Sequence, residues 1–262
     1  KLAGPISEQL NSSKEKVEIA ASICKSDLVS DLVGEFPELQ GVMGKYFARE
    51  QGFEDDISAA ISDHYLPIGN NSEVPKKPIG VAVSLIDKID TLVGFFGINE
   101  KPTSSKDPFA LRRTAIGLLK IIIENKLKIQ LKDLINYSIS TYEQQNTKFI
   151  NDVIFKEVII FLNERFKNLL REKKIRNDII EAAYSSHASN DFLELYKKTL
   201  IFNKNIKKNT CKNIIEIYKR TSNILDQELK SKKEEILGQP ESFLFKKEEE
   251  KNLYDKIGEV RQ

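Results

Sequence analysis

Asp87, Lys88 and Asp90 are the only charged residues in residues 81–96, VAVSLIDKIDTLVGFF, a stretch that is apolar on nearly all sides when wound as a helix. Such a helix belongs in a core. Two carboxylates there must be ion-paired or hydrogen-bonded, because a bare buried carboxylate is costly. Carboxylate oxygens can also hold a magnesium ion, though weakly without further ligands. A second charged group follows in residues 106–113, KDPFALRR, where Arg112 and Arg113 are adjacent. Asp107 suits an N-cap and Pro108 a first helical position, so the pattern predicts a helix starting at Pro108. Two guanidinium groups in its first turns oppose the helix dipole and need an anionic partner or full solvation. Left exposed they suit RNA phosphates, with Lys106 beside them; paired to nearby acids they are structural.

Other chemistries find less support. The chain has two histidines, His64 and His187, and two cysteines, Cys24 and Cys211, far apart in sequence. Cys24 falls on an apolar helical face and reads as core. Two unspaced cysteines read as reduced, cytosolic thiols, and zinc would need more ligands at closer spacing. No Walker loop and no GxGxxG is present. No run of 18 apolar residues occurs, so no membrane span is expected. The chain opens on Lys1 and its only methionine is Met43, which suggests a piece of a longer protein.

The elements that must position these residues are helical throughout. Ser12 and Glu15 make a capping-box pattern, and Val17, Ala20, Ala21, Cys24 and Leu28 follow at helical spacing toward Val33, with Gly34 as the stop. Pro37 opens a helix whose apolar face is Leu39, Val42, Met43, Tyr46 and Phe47. Another begins near Glu54–Asp56, with Ile57, Ile61 and His64 on one face. Pro67, Gly69, Pro75 and Pro78 mark an irregular loop. Leu111, Ala115, Leu118, Leu119 and Ile122 give a core face up to about Glu124, and a helix runs from about Leu131 to Glu143. Residues 144–148 look like a domain junction. A long amphipathic helix follows, with Ile150, Val153, Ile154, Val158, Phe161, Leu162 and Phe166. The next is capped by Asn177-Asp178 and ends near Ser185-Ser186-His187. One more is capped by Ser189 or Asn190. A basic run, Lys204, Lys207, Lys208 and Lys212, leads into a helix with Ile214, Ile217, Tyr218, Ile224 and Leu225. Glu248–Glu250 opens a last helix with Leu253, Tyr254 and Ile257.

Four ordered blocks carry a family resemblance: CKSDLVSDLVGEFPELQGVMGKYFA (24–48), DHYLP (63–67), DKIDTLVGFF (87–96) and KDPFALRR (106–113). Together they resemble the beta subunit of the bacterial two-subunit glycyl-tRNA synthetase, strongly over residues 20–125 and more loosely beyond. The resemblance implies an all-α chain in two parts. Residues 1–148 would be an HD-like helical domain, and residues 149–262 a helical, DALR-like anticodon-binding domain truncated at its C-terminal end. HD domains bind metal through a His, a His-Asp pair and a later Asp. Here Ser26-Asp27 takes the place of the pair, Asp87 that of the later Asp, and His64 lies where accessory histidines lie. At least two imidazoles are missing, so the resemblance implies a degenerate remnant at Asp27, His64 and Asp87, with no metal.

The resemblance further implies a role in glycine–tRNA ligation. The alpha subunit would hold the ATP- and magnesium-dependent active site, in an alpha2beta2 complex in the cytoplasm. This chain would bind tRNA-Gly and help place its acceptor end, with no catalytic residue or cofactor of its own. Residues 219–225, KRTSNIL, resemble a helix of the family's anticodon-binding domain. Lys219, Arg220 and Asn223 could hydrogen-bond RNA there, and Tyr218 could stack on an unpaired base. Charge supports this: residues 1–100 hold 9 Lys+Arg against 16 Asp+Glu, and residues 101–262 hold 32 against 23, an asymmetry that suits a polyanion partner for the second part. The competing readings are a degenerate HD-type phosphohydrolase and a purely structural helical scaffold.

Overall fold

A computed structural model of the chain describes residues 2–69, 72–145, 151–185, 191–232 and 241–260. Among them there is no strand, and thirteen α-helices with three short 3-10 turns make an all-α chain. In order these are α1 (Ala3–Leu10), α2 (Lys14–Ile23), α3 (Asp31–Glu35), α4 (Val42–Glu50), α5 (Asp55–Asp63), α6 (Pro78–Gly97), α7 (Leu111–Glu124), α8 (Leu131–Gln144), α9 (Asn151–Glu172), α10 (Asn177–Ser185), α11 (Phe192–Asn205), α12 (Asn209–Lys232) and α13 (Glu248–Val260). The 3-10 turns are Ser26–Val29, Pro37–Leu39 and Ser242–Leu244. No described helix is long and apolar enough to cross a membrane. The chain divides into two compact units, residues 1–205 and 206–262.

In the first unit α6 is the axis. It packs against α1, α2, α5, α7, α8 and α9, as its all-round apolar sequence requires. Leu85, Ile89 and Leu92 of α6 meet a core that includes Leu118 and Leu119 of α7 and Phe166 of α9, all essentially inaccessible to water. Each such side chain contributes roughly 2 kcal/mol through burial. Pro78 stands in the first turn of α6, where its missing N–H is harmless.

Local reading and structure part in four places. The helix from Lys14 does not run to Val33. Its cap is Ser13, which accepts from Lys16 N at 3.3 Å, so the pattern slips by one residue from Ser12. It ends at Ile23, and the chain turns inward so that Asp27 can be buried. Ser30 then caps α3, and Gly34 lies inside α3. Second, α4 faces the other way: Val42, Tyr46 and Phe47 are exposed, while Gly44 and Ala48 are buried. Packing by the small face lets α4 approach closely. A Cβ on Gly44 would stand 2.7 Å from Ile61 Cγ2, and one on Gly41 (φ 79°) would stand 2.5 Å from the Tyr65 ring.

Third, α7 starts at Leu111, after Ala110 at φ 53°. Asp107 still caps it, accepting from Leu111 N at 2.8 Å and Arg112 N at 3.0 Å, but from across a turn rather than as the adjoining residue. Fourth, α9 is not free of what precedes it. Ile154, Val158, Phe161, Leu162 and Phe166 are buried against α6, α7 and α8, Phe161 meets Phe96 at 5.3 Å between ring centroids, and Lys101 pairs with Glu157 at 2.5 Å. The compact unit therefore passes residue 148 and continues to 205. Most of the apolar face of α9 finds its cover in residues 78–145, although Val153 stays exposed. Helix α10 ends at Ser185. Ser186, His187, Ser189, Asn190, residues 146–148 of the expected junction and Ile150 lie outside the described residues. Asp191 caps α11, accepting from Glu194 N at 2.9 Å.

In the second unit α12 is a solvated helix. Ile214, Ile217, Tyr218, Ile224 and Leu225 are all exposed, Tyr218 at 72%. The acids of α13 behave as read: Glu250 accepts from Lys246 N at 2.7 Å and Lys247 N at 3.0 Å at the head of that helix.

Candidate functional site

The charged residues of α6 all find partners, each from a different element. Asp87 is paired with Lys25, from the break after α2, at 2.7 Å. Asp90 accepts from Ser138 Oγ at 3.2 Å and Tyr142 Oη at 3.1 Å, both on α8. Burial raises the Asp90 carboxyl, while these two hydroxyls hold it down. Gly94 makes the contact with Tyr142 feasible, since a Cβ there would be 2.6 Å from the Tyr142 oxygen. Lys88 is 6% exposed. It donates to His64 O at 3.0 Å and Ser84 Oγ at 2.8 Å. No carboxylate among the described residues is within ion-pair distance of it. Burial lowers its ammonium to about 8, against a weaker pull from Asp87.

Asp27, His64 and Asp87 are gathered around this segment of α6. Asp27 accepts from Gly41 N at 2.6 Å and Gly44 N at 3.2 Å, tying the 3-10 turn to the start of α4; its other oxygen is buried without a partner. His64, at the end of α5, is fully buried. Its Nδ1 is 2.7 Å from Ile61 O and must carry the proton, which leaves Nε2 a bare, buried acceptor. Burial lowers this imidazole to about 4, Asp87 opposing and Lys25 assisting. Bare Nε2 is the state a ligating histidine has, but no group of three metal-ligating side chains occurs among the described residues. The cation beside Asp87 is the Lys25 ammonium. Cys24 is buried and its thiol is pushed up to about 11, chiefly by that burial, so it is not a thiolate nucleophile.

The arginine pair is split by the structure. Arg112 is turned back on its own loop. It donates to Thr103 O and lies 3.9 Å from Asp107. Arg113 is exposed and has no carboxylate partner among the described residues. Lys106 is exposed in the loop before them. Separately, in the second unit, Lys207, Lys208, Lys212, Tyr218, Lys219, Arg220 and Asn223 are all exposed on or beside α12. Between Lys204 and Arg220 the sequence has six cations and a single carboxylate, Glu216. Sequence reading placed Lys88 in the buried helix but gave it no role, and it gave none to Lys25, whose partner Asp87 lies far along the chain.

Comparison with known proteins places these features in a lineage. The sequence profile of the family described as glycyl-tRNA synthetase beta subunit matches residues 1–185. The glycine–tRNA ligase beta subunit of Rhodospirillum centenum is 41% identical over 211 residues, which are 80% of this chain and 29% of that protein. That of Ruegeria sp. is 38% identical over 226 residues, 86% of this chain and 31% of that protein. That of Clostridioides difficile is 35% identical over 263 residues, 100% of this chain and 37% of that protein. The chain thus spans about a third of the length of the curated relatives it matches.

Proposed function

The chain belongs to the glycyl-tRNA synthetase beta subunit family, and from that premise we propose that it is an RNA-binding portion of a glycine–tRNA ligase, positioning tRNA-Gly for aminoacylation elsewhere in the complex. The observation that carries this reading is α12: a solvated helix, preceded by a basic run, with Tyr218 and Asn223 exposed among Lys219 and Arg220. Unpaired cations supply sequence-independent attraction to phosphates, and an exposed ring supplies a stacking platform for an unpaired base. Within residues 149–262, the part assigned to anticodon binding, α12 is the element that fits the task. The compact helical unit around α6, which would include the HD-like part, would serve as a scaffold that also presents Arg113. The alpha subunit would supply the ATP- and magnesium-dependent chemistry, in a cytoplasmic alpha2beta2 assembly. The contribution of this chain would be orientation of the substrate end, through binding energy collected away from the reacting atoms.

The test is a titration of the chain with tRNA-Gly and with an anticodon-altered tRNA-Gly, each at several salt concentrations. Steep weakening with salt and tighter binding to the intact anticodon are expected. Binding that ignores salt would end the proposal.

A further inference from the structure

A cavity of about 380 Å³ opens between α6 and α7, with Glu38, Gln40, Tyr65, Asp87, Lys88 and Arg113 on its walls. Two of these carry positive charge without a carboxylate partner among the described residues: Lys88 from α6 and Arg113 from the first turn of α7. The two acids are weaker influences. Asp87 already faces the Lys25 ammonium at 2.7 Å, and Glu38 is exposed to water, where its field is screened. Donors are also left over. An ammonium has three N–H groups and Lys88 uses two, on His64 O and Ser84 Oγ. The Tyr65 hydroxyl is buried beside Gln40 and makes no hydrogen bond of good geometry. Gly117 of α7 keeps the lysine stem in place, since a Cβ there would stand 2.9 Å from Lys88 Cε.

We propose that this cavity is a phosphate-binding subsite, in which Lys88, Arg113 and the Tyr65 hydroxyl hold one phosphate group of an RNA strand. A tetrahedral phosphate has enough oxygens to accept from all three. The guanidinium fork suits two of them, and the shielded ammonium acts on the anion more strongly than a solvated lysine does. The cavity has room for the sugar attached to such a phosphate. This deepens the RNA-binding reading and rests on it for the source of the phosphate.

The experiment measures binding of tRNA-Gly and, separately, of AMP to the chain and to its R113Q and K88M forms, with thermal melting of each recorded. R113Q changes an exposed side chain and decides the question alone if K88M melts early. A loss of tRNA affinity of about fivefold or more in R113Q, with melting unchanged, is the expected result. If tRNA binds and neither substitution weakens it, the subsite is overturned while the RNA reading stands. If tRNA does not bind but AMP does, with the same sensitivity to R113Q, the subsite stands for small phosphate esters and the RNA reading falls. If neither binds, both are overturned.

Discussion

The α6 neighbourhood and α12 are both rich in charge, and they handle it in opposite ways. Around α6 the charges are withdrawn from water and held by partners: Asp87 by Lys25, Asp90 by Ser138 and Tyr142, Asp27 by two backbone amides. Along α12 the cations stand in water, and so do the isoleucines beside them. Removing a buried partner strands a desolvated group, whereas removing a solvated lysine strands nothing. The first region should therefore report its charges through stability and pH, the second through salt-dependent binding.

The sharpest way to break this contrast is Asp27→Ala. It leaves the amides of Gly41 and Gly44 buried without an acceptor, and a loss of about 3 to 5 kcal/mol in chemical denaturation is expected. A loss under about 1 kcal/mol would mean that water replaces the carboxylate and that the turn is not tied by it.

Acid provides the next test. His64 is neutral when folded, with its imidazole lowered to about 4 against 6.5 in the unfolded chain. Because the folded value is the depressed one, the unfolded chain takes up the proton first. Stability is complete above pH 6.5 and falls as pH drops toward 4, by roughly 3 kcal/mol over the window. His64→Gln should flatten that slope in denaturant midpoints measured from pH 7 to 4.5. Lys88 works the same way at higher pH: lowered from 10.5 to about 8, it makes the fold more stable as pH rises from 8 toward 10.5, and Lys88→Met should remove that rise.

The adjacent arginines give a smaller and more selective effect. Arg112→Ala removes the clamp on Thr103 O and should cost about 1 to 2 kcal/mol of stability. Arg113→Ala should stay within about 0.5 kcal/mol of the parent. Equal losses from both would show that the structural split between them does not matter in solution. Smallest in stability is the triple change of Lys207, Lys208 and Lys212 to Gln. Melting should hold, while the slope of log affinity for RNA against log salt flattens by about 2, at about 0.7 per lost contact with a single strand.

Much of the α6 region was legible beforehand. An apolar stretch with no polar face names a central helix, and two carboxylates within it demand partners. Both demands are met, although neither Lys25 nor Tyr142 could be named from spacing, since each arrives from a distant element. The core face of α7 was legible too, because five apolar residues at helical spacing leave one way to bury them. The face of α4 was not. Its apolar residues mark a stripe as convincing as that of α7, yet Gly44 and Ala48 turn inward, because close approach to α5 rewards small side chains there. In α12 periodicity correctly gave a helix and said nothing of what covers it.

By itself, then, the sequence determined the helical class, the central place of residues 81–96, the basic character of residues 204–220 and the family. These follow from local periodicity, from apolar content and from matched blocks, none of which needs distant contacts. Tertiary structure alone decided that Lys25 stands on Asp87, that Lys88 and Arg113 share a cavity, that Arg112 braces its loop, and that α9 packs on α6, α7 and α8 within the first unit. Each of those depends on which surfaces exclude water together, and desolvation belongs to the assembled fold rather than to any one segment.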